Sequence, residues 1–207
     1  KRAYNFNAGP SALPFEVLQT AQQELLDYAN TGMSLMEMSH RGDVFEKVHN
    51  DAIARLRKIY GVPDNYEVLF LQGGASLQFT MIPMNFLAAD KTASYALTGS
   101  WSEKAYKEAK MFGNVAEAAS TKENKYKNIP AVADVKFNED DAYVHITSNN
   151  TIYGTQWKEF PVTGNVPLVA DMSSDILSKP IDVSQFGIIY AGAQKNLGPS
   201  GVTVVII

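Results

Sequence analysis

The sequence predicts an α/β fold, a mostly parallel but mixed sheet with helices on both faces. Three observations carry that reading. From residue 67 onward, apolar runs of strand length recur, and several are continuous rather than alternating, as strands buried on both sides are. Between some of them stand segments whose apolar residues recur at helical spacing. After most strand candidates comes a short polar or glycine-bearing turn, such as Gln72-Gly-Gly-Ala-Ser76, before the chain folds back.

The elements follow in order. Residues 1–13 read as irregular, with Asn7-Ala-Gly-Pro10 as a turn signal. Pro14 opens a helix in the first-turn position that proline favours, and Val17, Leu18, Ala21, Leu25 and Ala29 mark its face until Asn30-Thr-Gly32. A loop over 33–42 contains Ser39-His-Arg-Gly42. Asp43 is expected to cap a second helix with Val44, Val48, Ala52, Leu56 and Ile59 on one face, ended by Gly61-Val-Pro63. Strands are expected over 67–71, 92–97, 114–118, 142–147, 167–170, 188–191 and 202–207. Helices are expected over 76–87 and 102–112, with a weaker one near 129–135.

Composition narrows the function classes. The chain has 207 residues, enough for one sizeable domain, and a formal net charge of −4 with no basic run. That balance argues against nucleic acid or an anionic membrane as the main partner. There is no cysteine, so disulfides, thiolate metal sites and a cysteine nucleophile are excluded within these residues. Without clustered histidines either, no catalytic metal is expected. No apolar run reaches transmembrane length and the opening lacks a signal peptide's hydrophobic region, so the expectation is a soluble, cytoplasmic protein. The last apolar run ends at Ile207 inside a predicted strand, so the fold is expected to continue.

In open α/β sheets ligands bind beyond the carboxyl ends of the strands. There the sequence places Gly73-Gly-Ala-Ser76 before a helix, Trp101, Thr151, Asp171, and Gln194-Lys195. Two glycines before a helix N-terminus can turn backbone N–H groups toward a phosphate, although such pairs also serve as plain turns. Asp171 after an apolar strand needs a partner, which a structural ion pair would also supply. Lys195, in a turn just past a buried strand, is either a hairpin surface charge or a nucleophile held in a pocket. Neither a G-x-G-x-x-G nor a P-loop signature is present. Together these residues match what pyridoxal phosphate (PLP) requires: a lysine for its aldehyde, an acid for its pyridine nitrogen, an anion site and an aromatic face.

The motifs Asn5-Phe-Asn-Ala-Gly-Pro10, Ser39-His-Arg-Gly42, Gly73-Gly-Ala-Ser-Leu-Gln-Phe79, Asp171-Met-Ser-Ser174 and Ala193-Gln-Lys-Asn-Leu-Gly-Pro-Ser-Gly201 are spread from near the start of the chain to near its end. In them the sequence resembles the phosphoserine aminotransferases, fold-type I PLP enzymes of the class V aminotransferase family. The resemblance implies that residues 16–207 form the PLP-binding large domain, incomplete here, with 1–15 associated with a small domain. It implies Lys195 as the Schiff-base lysine and proton carrier, with Asp171 on the pyridinium nitrogen. Ala75, Ser76 and Gln194 would bind the phosphate, Trp101 would stack on the ring, and Thr151 would hydrogen-bond the phenolic oxygen. Arg41 would grip the substrate carboxylate, and His40 would lie near the substrate's acidic ends. His49 and His145 read as structural. The implied reaction, in serine biosynthesis, moves the amino group of L-glutamate to 3-phosphohydroxypyruvate in ping-pong fashion, in a homodimer with sites at the subunit interface. Alternatives left open are an alanine–glyoxylate aminotransferase or cysteine desulfurase of the same cofactor class, and a non-catalytic α/β module in which Lys195 and Asp171 pair.

Overall fold

The computed structural model describes residues 2–207. Its centre is a seven-stranded sheet made of β1 (Val68–Leu71), β2 (Thr92–Leu97), β3 (Asn114–Ser120), β4 (Tyr143–Thr147), β7 (Leu168–Asp171), β8 (Ile188–Gly192) and β9 (Thr203–Ile206). The order is β1-β9-β8-β7-β4-β2-β3, and only β9 runs against its neighbours. A two-residue hairpin, β5 (Asn149–Asn150) with β6 (Thr155–Gln156), stands apart from the sheet. The mixed, mostly parallel α/β architecture expected from the sequence is the one observed.

Both faces of the sheet are buried, which is why its strands are apolar on both sides. On one face Phe79 and Ile82 of helix α3 (Gly74–Phe86) and Ala105 and Ala109 of helix α4 (Ser100–Ala109) pack over Tyr95, Tyr143, Val169, Tyr190 and Val205. On the other, Leu56 and Tyr60 of helix α2 (Asp43–Tyr60) join Trp157, Ile146, Ala170, Ile189 and Val204.

Several boundaries differ from expectation for physical reasons. Helix α1 (Phe15–Gln23) stops well short of Ala29. None of its residues is buried, and a short helix without a packed face has little to sustain it. Gly42, not Asp43, is the cap of α2; Asp43 lies in the first turn, where its charge favours the helix dipole. Helix α3 begins two residues early because Gly73 and Gly74 take left-handed conformations that start the turn. Helix α4 also begins early, and the Ser102 hydroxyl closes its start by accepting from the N–H groups of Thr98 and Gly99, at 2.9 and 3.1 Å. The weak helix near 129–135 is only a 3-10 turn, Val132–Asp134.

A polar-aromatic stack lies inside the α3/α4 face. The register pairs Tyr95 with His145, His145 with Val169 and Asp171 with Tyr190, so these side chains share one face. His145 stacks on Tyr95 at 4.8 Å, and its Nε2 lies 2.9 Å from the Tyr190 hydroxyl. Burial pushes the His145 pKa down to about 3, so the ring is neutral throughout the physiological range. Unfolding exposes it to a pKa near 6.5, so the unfolded chain gains a proton that the folded chain refuses between those values. Stability therefore falls as pH drops from about 6.5 toward 3. Replacing His145 with glutamine should flatten that acid limb by up to one proton, about 1.4 kcal/mol per pH unit, in urea unfolding followed against pH. An unchanged slope would contradict it.

Candidate active site

The carboxyl ends of β1, β2, β4, β7 and β8 meet around an open-mouthed cavity, the place where open α/β sheets bind ligands. Ala75, Ser76, Trp101, Asp171, Gln194 and Lys195 all line it. Six of the sequence-selected residues thus converge on one wall of one domain.

Each arrives there for a local reason. Ala75 and Ser76 occupy the first turn of α3, whose leading N–H groups have no partner within the helix. Gly73 precedes them at φ +91°, and a Cβ there would stand 2.3 Å from Leu77, so both conformation and space demand glycine. This open helix start favours an anion. Trp101 is held at the start of α4, its Nε1 buried without a hydrogen-bond partner. Lys195 follows β8 in a tight turn closed by bonds from the Leu197 and Gly198 N–H groups to the Ala193 carbonyl, at 3.1 and 2.8 Å. Its Nζ reaches to 5.8 Å from the Trp101 ring centroid.

Asp171 closes β7 and is 5% exposed. Its Oδ1 accepts from the Ser173 N–H at 2.9 Å and the Ser173 hydroxyl at 2.6 Å. Among the described residues Oδ2 has no hydrogen-bond donor. Burial pushes the Asp171 carboxyl upward from its ordinary pKa, against the pull of the Ser173 bonds and the Lys195 charge. A buried acid with one oxygen anchored and one spare fits a proton-bearing ligand atom. Lys195 does not take that place: the ion pairs among the described residues are Lys47–Asp51, Arg57–Glu67 and Lys122–Glu103. The structural ion-pair reading of Asp171 with Lys195 is therefore not what the structure contains.

The remaining three sequence-selected residues lie elsewhere. Thr151 is exposed on the turn between β5 and β6, and His40 and Arg41 are exposed on the loop before α2; none of the three lines the cavity. Sequence reasoning passed over Thr147, Asn149, Ser173 and Ser174, which do line it. Their signal was position alone, directly after the ends of β4 and β7. The Thr147 hydroxyl is buried and unpartnered, so the cavity has an unspent polar atom in its wall. Asn149 Nδ2 donates to Ser174 Oγ at 2.9 Å, tying the two post-strand loops together. Behind them Asp175 accepts from Ser148 Oγ at 2.5 Å and Gln156 Nε2 at 3.0 Å, which fixes the hairpin against the end of β7.

Known proteins share this fold and much of this sequence. The phosphoserine aminotransferase of Lysinibacillus sphaericus is 76% identical over 207 residues, covering 100% of this chain and 57% of that protein. The solved phosphoserine aminotransferase from Bacillus circulans subsp. alkalophilus superposes with a TM-score of 0.97 at 62% identity, over 100% of this chain and 57% of that one. The PLP-bound phosphoserine aminotransferase from Trichomonas vaginalis gives 0.89 at 42% identity, over 100% and 58%. The chain thus spans a little over half the length of the relatives it matches. The family model described as aminotransferase class-V matches residues 3–207, and the chain belongs to that family.

Proposed function

We propose that the full-length protein holds pyridoxal 5'-phosphate in this cavity and transfers the amino group of L-glutamate to 3-phosphohydroxypyruvate, giving O-phospho-L-serine and 2-oxoglutarate. The observation that carries the reading is that Asp171 and Lys195 line the same cavity without pairing, with the open start of α3 on its wall. The wall fits the cofactor group by group. The α3 N–H groups with Ser76 and Gln194 suit its phosphate, the Trp101 ring its flat face, and Asp171 its pyridine nitrogen. When bound, the cofactor supplies an electron sink for the pair left as a Cα–H bond breaks.

The chain's own residues do the rest. Asp171 holds a proton partner at its spare oxygen while Ser173 fixes the other, so the carboxyl cannot rotate away. Lys195 would supply the amine that anchors the cofactor's aldehyde carbon and, once free, the base for the proton on the amino acid's Cα. Arg41 grips a substrate carboxylate with a planar fork, and His40 stands near the substrate's acidic ends, both from an exposed loop outside the cavity wall. Thr151, on the neighbouring turn, would donate to the cofactor's phenolic oxygen.

The same reading takes residues 16–207 as the cofactor-binding large domain, with 1–15 associated with a small domain. It takes the whole as a cytoplasmic homodimer with sites at the subunit interface. Large apolar side chains left open along the N-terminal stretch support an assembly: Tyr4, Phe6, Leu26 and Met36 are all at least 80% exposed.

The test is made on the full-length protein. Borohydride reduction should leave the cofactor's mass on the peptide bearing Lys195, and glutamate-dependent turnover should favour phosphohydroxypyruvate over glyoxylate and pyruvate. An adduct elsewhere or none would overturn the cofactor assignment, and a preference for glyoxylate would move the chain to another branch of the family.

A further inference from the structure

The opening motif makes contacts that its role as a turn does not explain. The Ser11 N–H donates to the Gln194 carbonyl at 2.9 Å, and the Ser11 hydroxyl donates to the carbonyl of Lys195, 184 positions away. Gly9 lies against the lysine side chain itself. A Cβ built there would stand 3.0 Å from Lys195 Cγ, 3.6 Å from Cε and 3.8 Å from Gln194 Cγ. The first of those is well inside the ordinary carbon–carbon contact distance. Gly9 is not among the positive-φ glycines, so space, not backbone conformation, calls for glycine here. Residues 2–10 are exposed in this chain, and the lysine-bearing turn is what Gly9 and Ser11 contact in it.

We propose that Gly9 and Ser11 are positioning residues for Lys195: the N-terminal segment walls the lysine's stem and pins its carbonyl, so that Nζ is delivered into the cavity shared with Trp101 and Asp171. The proposal rests on the reading of Lys195 as the amine that holds the cofactor. Its physical content is a restriction of rotamers. With Gly9 on one side and the turn carbonyl fixed, the four-carbon stem loses the freedom that an exposed lysine has. A methyl at position 9 would force the stem to yield, because the opposing atom is side chain rather than backbone.

Full-length protein loaded with its cofactor serves for the test, in the parent, Gly9→Ala and Ser11→Ala forms. Two quantities are read: the fraction of bound cofactor that borohydride fixes on the Lys195 peptide, and the pH at which the visible absorption band changes form. Gly9→Ala should lower the trapped fraction about two- to tenfold and move the pH midpoint by about half a unit or more. Ser11→Ala, which adds no atoms and removes one hydrogen bond, should lower the fraction about two- to fivefold, and keeps the test valid if Gly9→Ala does not fold. If both variants trap on Lys195 as fully as the parent and keep its pH profile, the segment is an anchor only and the proposal is wrong, whatever happens to their melting temperatures. A parent protein with no adduct at Lys195 would instead sink the functional reading, and this inference with it.

Discussion

Exchanging Asp171 for asparagine should cut turnover of the full-length protein by about 10²–10⁴-fold and at the same time make its cofactor-free form more stable. Both effects come from one fact, a carboxyl that is buried without a charge partner. Its folded-state pKa is raised above the unfolded value, so the folded state binds the proton more tightly than the unfolded one. Its favourable contribution is complete below the unfolded pKa and is lost as pH rises through the folded one. At neutral pH the ionised acid is therefore a cost that asparagine does not carry. Asparagine can still accept from the Ser173 N–H and hydroxyl through its Oδ1, so the local geometry should survive. What it cannot do is balance a protonated ring nitrogen. We expect the melting temperature of the cofactor-free variant to rise by about 2 °C or more, and the gain to shrink as pH is lowered toward the ordinary carboxylate range. A cofactor-free variant that melts lower at neutral pH, with activity preserved, would show Asp171 to be a structural acid.

The second large effect is at Lys195. Lys195→Ala should reduce turnover by about 10⁴-fold or more, since on the proposed reading one side chain serves as both anchor and base. The cofactor should still bind, because the α3 start and the Trp101 ring are untouched by the change. Borohydride should then fix no mass on the protein, and extended dialysis should strip the colour that the parent retains. The expected split is retained affinity of the weaker, non-covalent kind with lost chemistry. Turnover within tenfold of the parent would remove Lys195 from the chemistry altogether.

The sheet was legible because its strands are buried on both sides and read as continuous apolar runs; the expected spans of β2 and β8 nearly coincide with the observed ones. Helix ends were less legible, since they depend on packing or on single backbone conformations. Apolar spacing carried α1 on toward Ala29, although no partner surface exists among the described residues to bury that face. The start of α3 turned on two left-handed glycines, which composition suggested only as a turn. Two-residue strands such as β5 and β6 are too short to have a period, so the hairpin could not be read.

For the site, position after a strand end was a sound guide. It found Asp171, Trp101 and Lys195, but among the polar residues that follow β4 it picked Thr151 where Asn149 lines the cavity. Thr151 came from the same positional rule, and His40 and Arg41 from motif resemblance. They sit on exposed turns whose side chains the fold of this domain alone does not direct into the cavity.

The single reversed strand has a consequence for how the molecule comes into being. Among the described residues β1 pairs only with β9, through Val68–Ile206 to Leu71–Thr203, so it is held in the sheet by a strand that follows only after β2, β3, β4, β7 and β8. During synthesis the segment bearing Gly73 and Ser76 leaves the ribosome long before its clasp does. On the proposed reading the anion cradle takes its place once Thr203 stands between Leu71 and Gly192, paired with both. β1 therefore joins the sheet only after the strands between it and β9 have been made, with the loop-closure entropy of that intervening chain standing in the step.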